Sequence, residues 1–237
     1  MKHLVIFFVL LILFDTTAAY SQESDASARS KNKENVVKVI VFGDSLVAGF
    51  GLGEEHTFKK ALERKLESVG YDIVRVLDGT FTGLTTQLAL ERVQIVLDFN
   101  PDIVILALGS NDAFSKKNPQ DTYSNLANIL QTLQRNNVKI LLTGVKLPKG
   151  AHPQYQDKFQ SMYEYLADKY KIELYPNILK DIAGNTDLTL ADKIHPNQAG
   201  METIVNNVYP HLELILFRQF KEIILQEKRK EILKKQY

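Results

Sequence analysis

Ser45 stands in Gly43-Asp44-Ser45-Leu46, directly after the apolar run Val36-Val37-Lys38-Val39-Ile40-Val41-Phe42. The β-branched residues of that run predict a buried strand. A serine hydroxyl at the carboxyl end of such a strand is placed to act as a nucleophile, because open α/β sheets bind ligands at that edge. Acyl transfer by serine also needs a base, a group that orients the base, and donors for the developing oxyanion. Cysteine is absent, which excludes thiol nucleophiles, thiolate metal sites and disulfides.

The base is found by elimination among five histidines. His3 lies in the N-terminal leader, His56 opens the first helical pattern, and His211 falls within the last. His152 sits in a loop whose only nearby carboxylate is Asp157. His195 has an acid three residues before it, Asp192, and a stiffening proline, Pro196, after it. The Asp192-x-x-His195 spacing lets the carboxylate reach the imidazole and fix its tautomer and orientation. The same stretch also reads as an ordinary helix entry, with both side chains solvated and Asn197 as the cap, and the motif alone leaves the two open. For the oxyanion, the Ser45 N–H, the Gly83 N–H and the Asn111 side-chain amide are candidate donors. Gly83 is equally a turn glycine and Asn111 equally a cap. Asp44 is expected to bond nearby loop amides, and Asp112 to cap the helix that follows it. Gly49, Gly51 and Gly53 resemble a phosphate loop only superficially, since neither the dinucleotide spacing nor a Gly-Lys-Ser/Thr ending is present.

These residues need elements to bring them together. Strand-like runs cover Val36–Phe42, Asp72–Leu77, Asp102–Leu108, Lys139–Val145 and Ile172–Tyr175. Between them, Phe58, Leu62 and Leu66 form one helical stripe, and Leu88, Val93, Val96 and Leu97 a second, stopped at Asn100-Pro101. Leu126, Ile129, Leu130 and Leu133 form a third; Phe159, Met162, Tyr163 and Leu166 form a fourth. Alternating β and α predicts a parallel sheet covered on both faces, joined by right-handed crossovers. Parallel strands carry the loops of Ser45, Gly83, Asn111, Leu147-Pro148 and His195 to one edge.

The 237 residues are 45% hydrophobic and 24% charged, with net charge +1. This is globular composition with no electrostatic case for a nucleic-acid partner. Lys2, the apolar stretch Leu4–Phe14 and Thr17-Ala18-Ala19 fit a signal peptide over residues 1–19, hence a periplasmic or secreted protein, with an uncleaved membrane anchor as the alternative reading of the same segment. Residues 20–35 read as a polar disordered leader, 36–211 as one folded domain, and 212–237 as a basic amphipathic helical extension. That helix has the character of one that can lie on an anionic membrane, or pack by its first half and leave a solvated tail. A monomer is expected.

Taken together, these blocks resemble the SGNH (GDSL) hydrolase family, and within it the bacterial secreted arylesterase, acyl-CoA thioesterase I and lysophospholipase L1 group. The name-giving positions correspond to Ser45, Gly83, Asn111 and His195, with Asp192 as the third triad member, and the resemblance runs from Val39 to Tyr209. It implies a three-layer α/β/α, flavodoxin-like fold with a five-stranded parallel sheet of order 2-1-3-4-5. It further implies a metal- and cofactor-free serine esterase cleaving ester or thioester bonds of small or lipid acyl substrates, with Leu147 and Pro148 in an acyl-chain groove. A carbohydrate O-acetylesterase using the same residues is the alternative, and a non-catalytic envelope-binding protein a third. Phe81 and Leu84, if at the edge rather than in the core, favour an acyl chain over a sugar. Departures stand beside the nominated groups: Asp78 and Leu84 replace the usual asparagine and aspartate flanking the glycine block. The usual Gly-Gly-Asn-Asp becomes Gly109-Ser110-Asn111-Asp112.

Overall fold

A computed structural model describes residues 36–147 and 152–234. The expected signal peptide and leader, and Pro148, lie outside the described residues. Five strands, β1 (Val37–Gly43), β2 (Val74–Asp78), β3 (Ile103–Ala107), β4 (Lys139–Thr143) and β5 (Glu173–Tyr175), pair in parallel in the order β2-β1-β3-β4-β5. The expected strand order is therefore correct, with boundaries shifted by one or two residues at several ends.

β1 and β3 are central, and their composition follows from that place. Every residue of β3 is buried, as are those of β1 apart from Lys38. β-Branched and aliphatic side chains suit strands covered on both faces. Val41 lies opposite Ile105 and Gly43 opposite Ala107. At Gly43 a Cβ would sit 2.8 Å from the Ala107 carbonyl oxygen. Only glycine lets these two strand ends stay paired next to Ser45.

The helices are α1 (Ser45–Ala48), α2 (Phe58–Ser68), α3 (Thr86–Leu97), α4 (Ser110–Phe114), α5 (Pro119–Arg135), α6 (Pro153–Tyr170) and α7 (Gln198–Lys234). α2 packs with α7, while α5 packs with both α3 and α6, so two helical layers enclose the sheet. The expected stripes are the buried faces of α2, α5 and α6. In α3 the stripe is corrected at one position: Leu88 is 40% exposed and Ala89 takes its place in the core. Side-chain caps mark the starts, with Thr57, Thr85 and Asn118 accepting from Lys60, Leu88 and Gln120 N–H groups. His56 does not open α2; it closes a short 3-10 turn, Glu54–His56, just before it.

α7 runs without interruption through Pro210, so no element boundary falls at residue 212. Leu212, Ile215 and Leu216 belong to the core, Phe220 and Ile223 pack against it, and residues 224–234 are exposed. Phe220 stacks on Tyr71 at 5.8 Å, and Glu222 pairs with Lys139 at 2.6 Å. Tyr71 precedes β2 and Lys139 begins β4, so α7 reaches the amino edge of the sheet there. Its last residues continue beyond that edge. Among the described residues, no helix is long and apolar enough to cross a membrane.

Candidate active site

Ser45 is the first residue of α1, a helix of four residues. It is 8% exposed. Asp44 caps α1 by accepting the Leu46 N–H at 3.0 Å, in line with the loop-bonding role expected of it. Gly49 ends the helix with φ of +78°, a conformation in which glycine has no Cβ penalty.

The imidazole of His195 reaches Ser45 from the loop before α7. Its Nε2 lies 2.9 Å from Ser45 Oγ, and its Nδ1 lies 2.7 Å from Asp192 Oδ2. With Asp192 ionised, the favoured neutral tautomer carries its proton on Nδ1 and donates to the carboxylate. Nε2 is then the acceptor for the Ser45 hydroxyl. Asp192 Oδ1 accepts from the Ile194 and His195 N–H groups at 2.9 and 3.0 Å. The Ile194 N–H, the His195 ring and the His195 N–H together lower the Asp192 carboxyl to about 2. Of the helix-entry reading only the cap holds: Asn197 caps α7, accepting from Gly200 N–H at 2.9 Å, while Asp192 and His195 are hydrogen-bonded to each other rather than solvated. A cap two residues beyond His195 is compatible with the pair.

The oxyanion candidates converge through the neighbouring loops. Asn111 lies on α4, and its Nδ2 donates to the Leu84 carbonyl at 3.0 Å, so one amide hydrogen anchors the loop of Gly83 and the other is left over. Gly83 is exposed, with φ of +76° and open space around it. Among the described residues, the Ser45 and Gly83 N–H groups donate to no acceptor. Asp78 shapes the same loop, accepting from Thr80 N–H and Thr80 hydroxyl at 2.8 and 2.7 Å. An aspartate in place of the family's asparagine thus serves as a turn acceptor. Leu84 is 1% exposed and belongs to the core, so it gives no argument about the substrate. Phe81 is partly buried with Arg92 over its ring at 4.9 Å.

Ser110 ties the two halves of the site. Its hydroxyl donates to Asp44 Oδ2, linking the α4 loop to the nucleophile turn, and both residues are almost fully buried. Burial pushes the Asp44 carboxyl up to about 6, against the hydrogen bonds from Ser110 and Leu46 and attraction by His195. The sequence reading treated Ser110 only as a departure from glycine. Asp112 also differs from its expected role. It is buried and accepts from Thr86 N–H and Thr86 Oγ1 at 2.9 and 2.6 Å. It therefore holds the first residue of α3, a helix earlier in the chain that Thr85 caps, rather than capping the one that follows. Leu147 is 8% exposed and packs in the core.

Of the other histidines, His211 pairs with Glu173 at 2.9 Å on the β5 side and His152 precedes α6. Neither approaches Ser45 by any contact of the described residues. Phe50, which the sequence reading passed over, lies against His195 with ring centroids 4.5 Å apart.

A parallel α/β/α sheet with serine, histidine and aspartate hydrogen-bonded in series at its carboxyl edge defines a class, the serine hydrolases. Comparison narrows the class. Residues 41–203 match the GDSL-like lipase/acylhydrolase family, and the chain belongs to that family. It is 32% identical over 179 residues to esterase TesA of Pseudomonas aeruginosa, covering 75% of this chain and 89% of that one. It is 28% identical over 203 residues to an arylesterase of Vibrio mimicus, covering 85% and 95%. The crystal structure of AlinE4, an SGNH-hydrolase family esterase, is 34% identical and superposes with a TM-score of 0.63, covering 76% and 97%. The protein is accordingly an SGNH-type ester hydrolase.

Proposed function

We propose that Ser45, His195 and Asp192 act as nucleophile, general base and orienting acid in a two-step hydrolysis of carboxylic ester or thioester bonds. The observation that carries this reading is the 2.9 Å contact between His195 Nε2 and Ser45 Oγ, with Asp192 on the opposite ring nitrogen. As Ser45 Oγ bonds to the acyl carbon, its proton passes to Nε2. The carbonyl oxygen becomes an oxyanion held by the Ser45 and Gly83 N–H groups and the Asn111 amide. Collapse breaks the bond to the leaving oxygen or sulfur, which takes the proton from Nε2. Water then attacks the acyl-enzyme, giving its proton to His195 and releasing the acid and Ser45. Ser45→Ala is expected to abolish turnover of a p-nitrophenyl ester series; activity equal to the parent would sink the assignment.

The reading extends to an acyl-chain groove at the Leu147-Pro148 loop, supported by the family resemblance of that loop. An acyl-length profile at constant leaving group separates an acyl-chain esterase from an O-acetylesterase: preference for octanoyl over acetyl supports the first. We also infer a monomer, and export by cleavage after Ala19 on the strength of the Lys2, Leu4–Phe14 and Thr17-Ala18-Ala19 pattern. N-terminal sequencing of the mature protein and its sedimentation behaviour test these two points. A peripheral membrane contact through the end of α7 is supported by its exposed apolar residues and basic neighbours. Liposome co-sedimentation equal with and without that segment would remove it.

A further inference from the structure

Phe50 is a large apolar side chain left 46% exposed beside a catalytic histidine, a place where a polar residue would cost less. Its position is fixed by the chain on both sides. Gly49 and Gly51 have φ of +78° and +74°, values that L side chains rarely adopt. They turn the backbone back immediately after the nucleophile helix. The Phe50 N–H points to the Ser45 carbonyl at 3.5 Å. On the other side, a Cβ at Gly51 would stand 2.8 Å from Leu190 Cδ1, so this turn rests on the loop that carries His195. That loop is closed by the Leu190 N–H donating to the His195 carbonyl at 2.8 Å. The ring of Phe50 is thereby held over the imidazole, tilted by 38°.

The direction of the chemistry says which part of a substrate meets that ring. The acyl oxygen must point to the Ser45, Gly83 and Asn111 donors, which belong to the nucleophile turn and the loops after β2 and β3. The leaving oxygen or sulfur must come within hydrogen-bond range of His195 Nε2 to collect its proton. Groups beside the imidazole therefore flank the leaving group. We propose that Phe50 is a specificity-determining residue that selects esters with an apolar, preferably aromatic, alcohol by packing its exposed face against that alcohol. The proposal deepens the function proposed above and rests on the roles given there to Ser45 and His195.

The test keeps the acid constant and varies the alcohol. Benzyl and ethyl butyrate have alcohols of similar acidity, and kcat/KM reports events through acylation, while the alcohol is still attached. In Phe50→Ala the benzyl-to-ethyl ratio of kcat/KM is expected to fall about three- to tenfold, the range of an aromatic contact. Phe50→Leu, which keeps apolar bulk and serves if the alanine variant fails to fold, should lose part of the ratio. The octanoate-to-acetate ratio of the ethyl esters should stay as in the parent. An unchanged benzyl-to-ethyl ratio in both variants, or a loss that follows acyl length instead, would overturn the proposal. Fluorophosphonate labelling of the parent keeps the two readings apart. A parent unlabelled at Ser45 defeats the underlying mechanism, whereas a labelled parent with unchanged ratios defeats only the role of Phe50.

Discussion

Asp192 and Asp44 are carboxylates with opposite surroundings, and each makes a separate prediction. Asp192 sits at the rim, 38% exposed by its side chain, yet three N–H donors surround it. With the carboxyl lowered to about 2, the stability it contributes is present above the ordinary carboxylate value of roughly 3.9 and is lost as pH falls through about 2. The base therefore keeps its orienting partner ionised throughout any working pH. Asp192→Asn should lower kcat by roughly 10⁴, the size seen in the analogous protease triad; a change within twofold, measured at saturating ester, would refute the role. Asp44 is buried and raised to about 6, so the sign reverses. Its favourable contribution is present below about 3.9 and lost as pH rises through about 6. Asp44→Asn has no such loss, so its Tm should gain on the parent by a few degrees between pH 4 and pH 7. A constant Tm difference across that interval would show that the buried carboxyl does not titrate there. Asn111→Ala should reduce kcat by about 10²–10³ with little change in KM, as removal of a single oxyanion donor does.

Elements set how closely these residues can be held. Gly43→Ala would drive a Cβ against the Ala107 carbonyl at the end of the β1–β3 pair. Overpacking of this kind costs about 1–3 kcal/mol, and the expected outcome is a lower Tm accompanied by lower kcat, since Ser45 is two residues away. Deleting residues 228–237 removes no buried side chain among those described, so kcat/KM on a soluble ester should remain as in the parent. The same scale explains what could be read in the amino-acid order. β1 and the stripes of α2, α5 and α6 were legible because their apolar periodicity is long enough to register. α1 and α4, with four and five residues, are too short to show a period at all. His195 with Asp192 was found because both lie on one short loop. The destination of Asp112 was not, because Thr86 lies 26 residues earlier and no local pattern announces the meeting. Phe50 was missed because its flanking glycines drew attention as a phosphate-loop spacing, when their positive φ serves to aim a ring. Leu84 reads as a candidate for the edge or the core from sequence alone, and only the packed sheet decides for the core.

At the scale of the whole described domain, α7 is the element that spans it. It starts two residues beyond Pro196, beside the Ser45–His195 contact, and passes the amino edge of the sheet where Phe220 meets Tyr71. At 1.5 Å per residue its 37 residues extend about 55 Å, and the stretch from Glu222 to Lys234 runs about 18 Å beyond the Glu222–Lys139 ion pair. Reactive groups and projecting tail thus occupy opposite poles. A bead, a purification handle or a fused partner attached directly after Lys234 would consequently grip this domain from behind, leaving its mouth turned toward the solution and open to incoming esters.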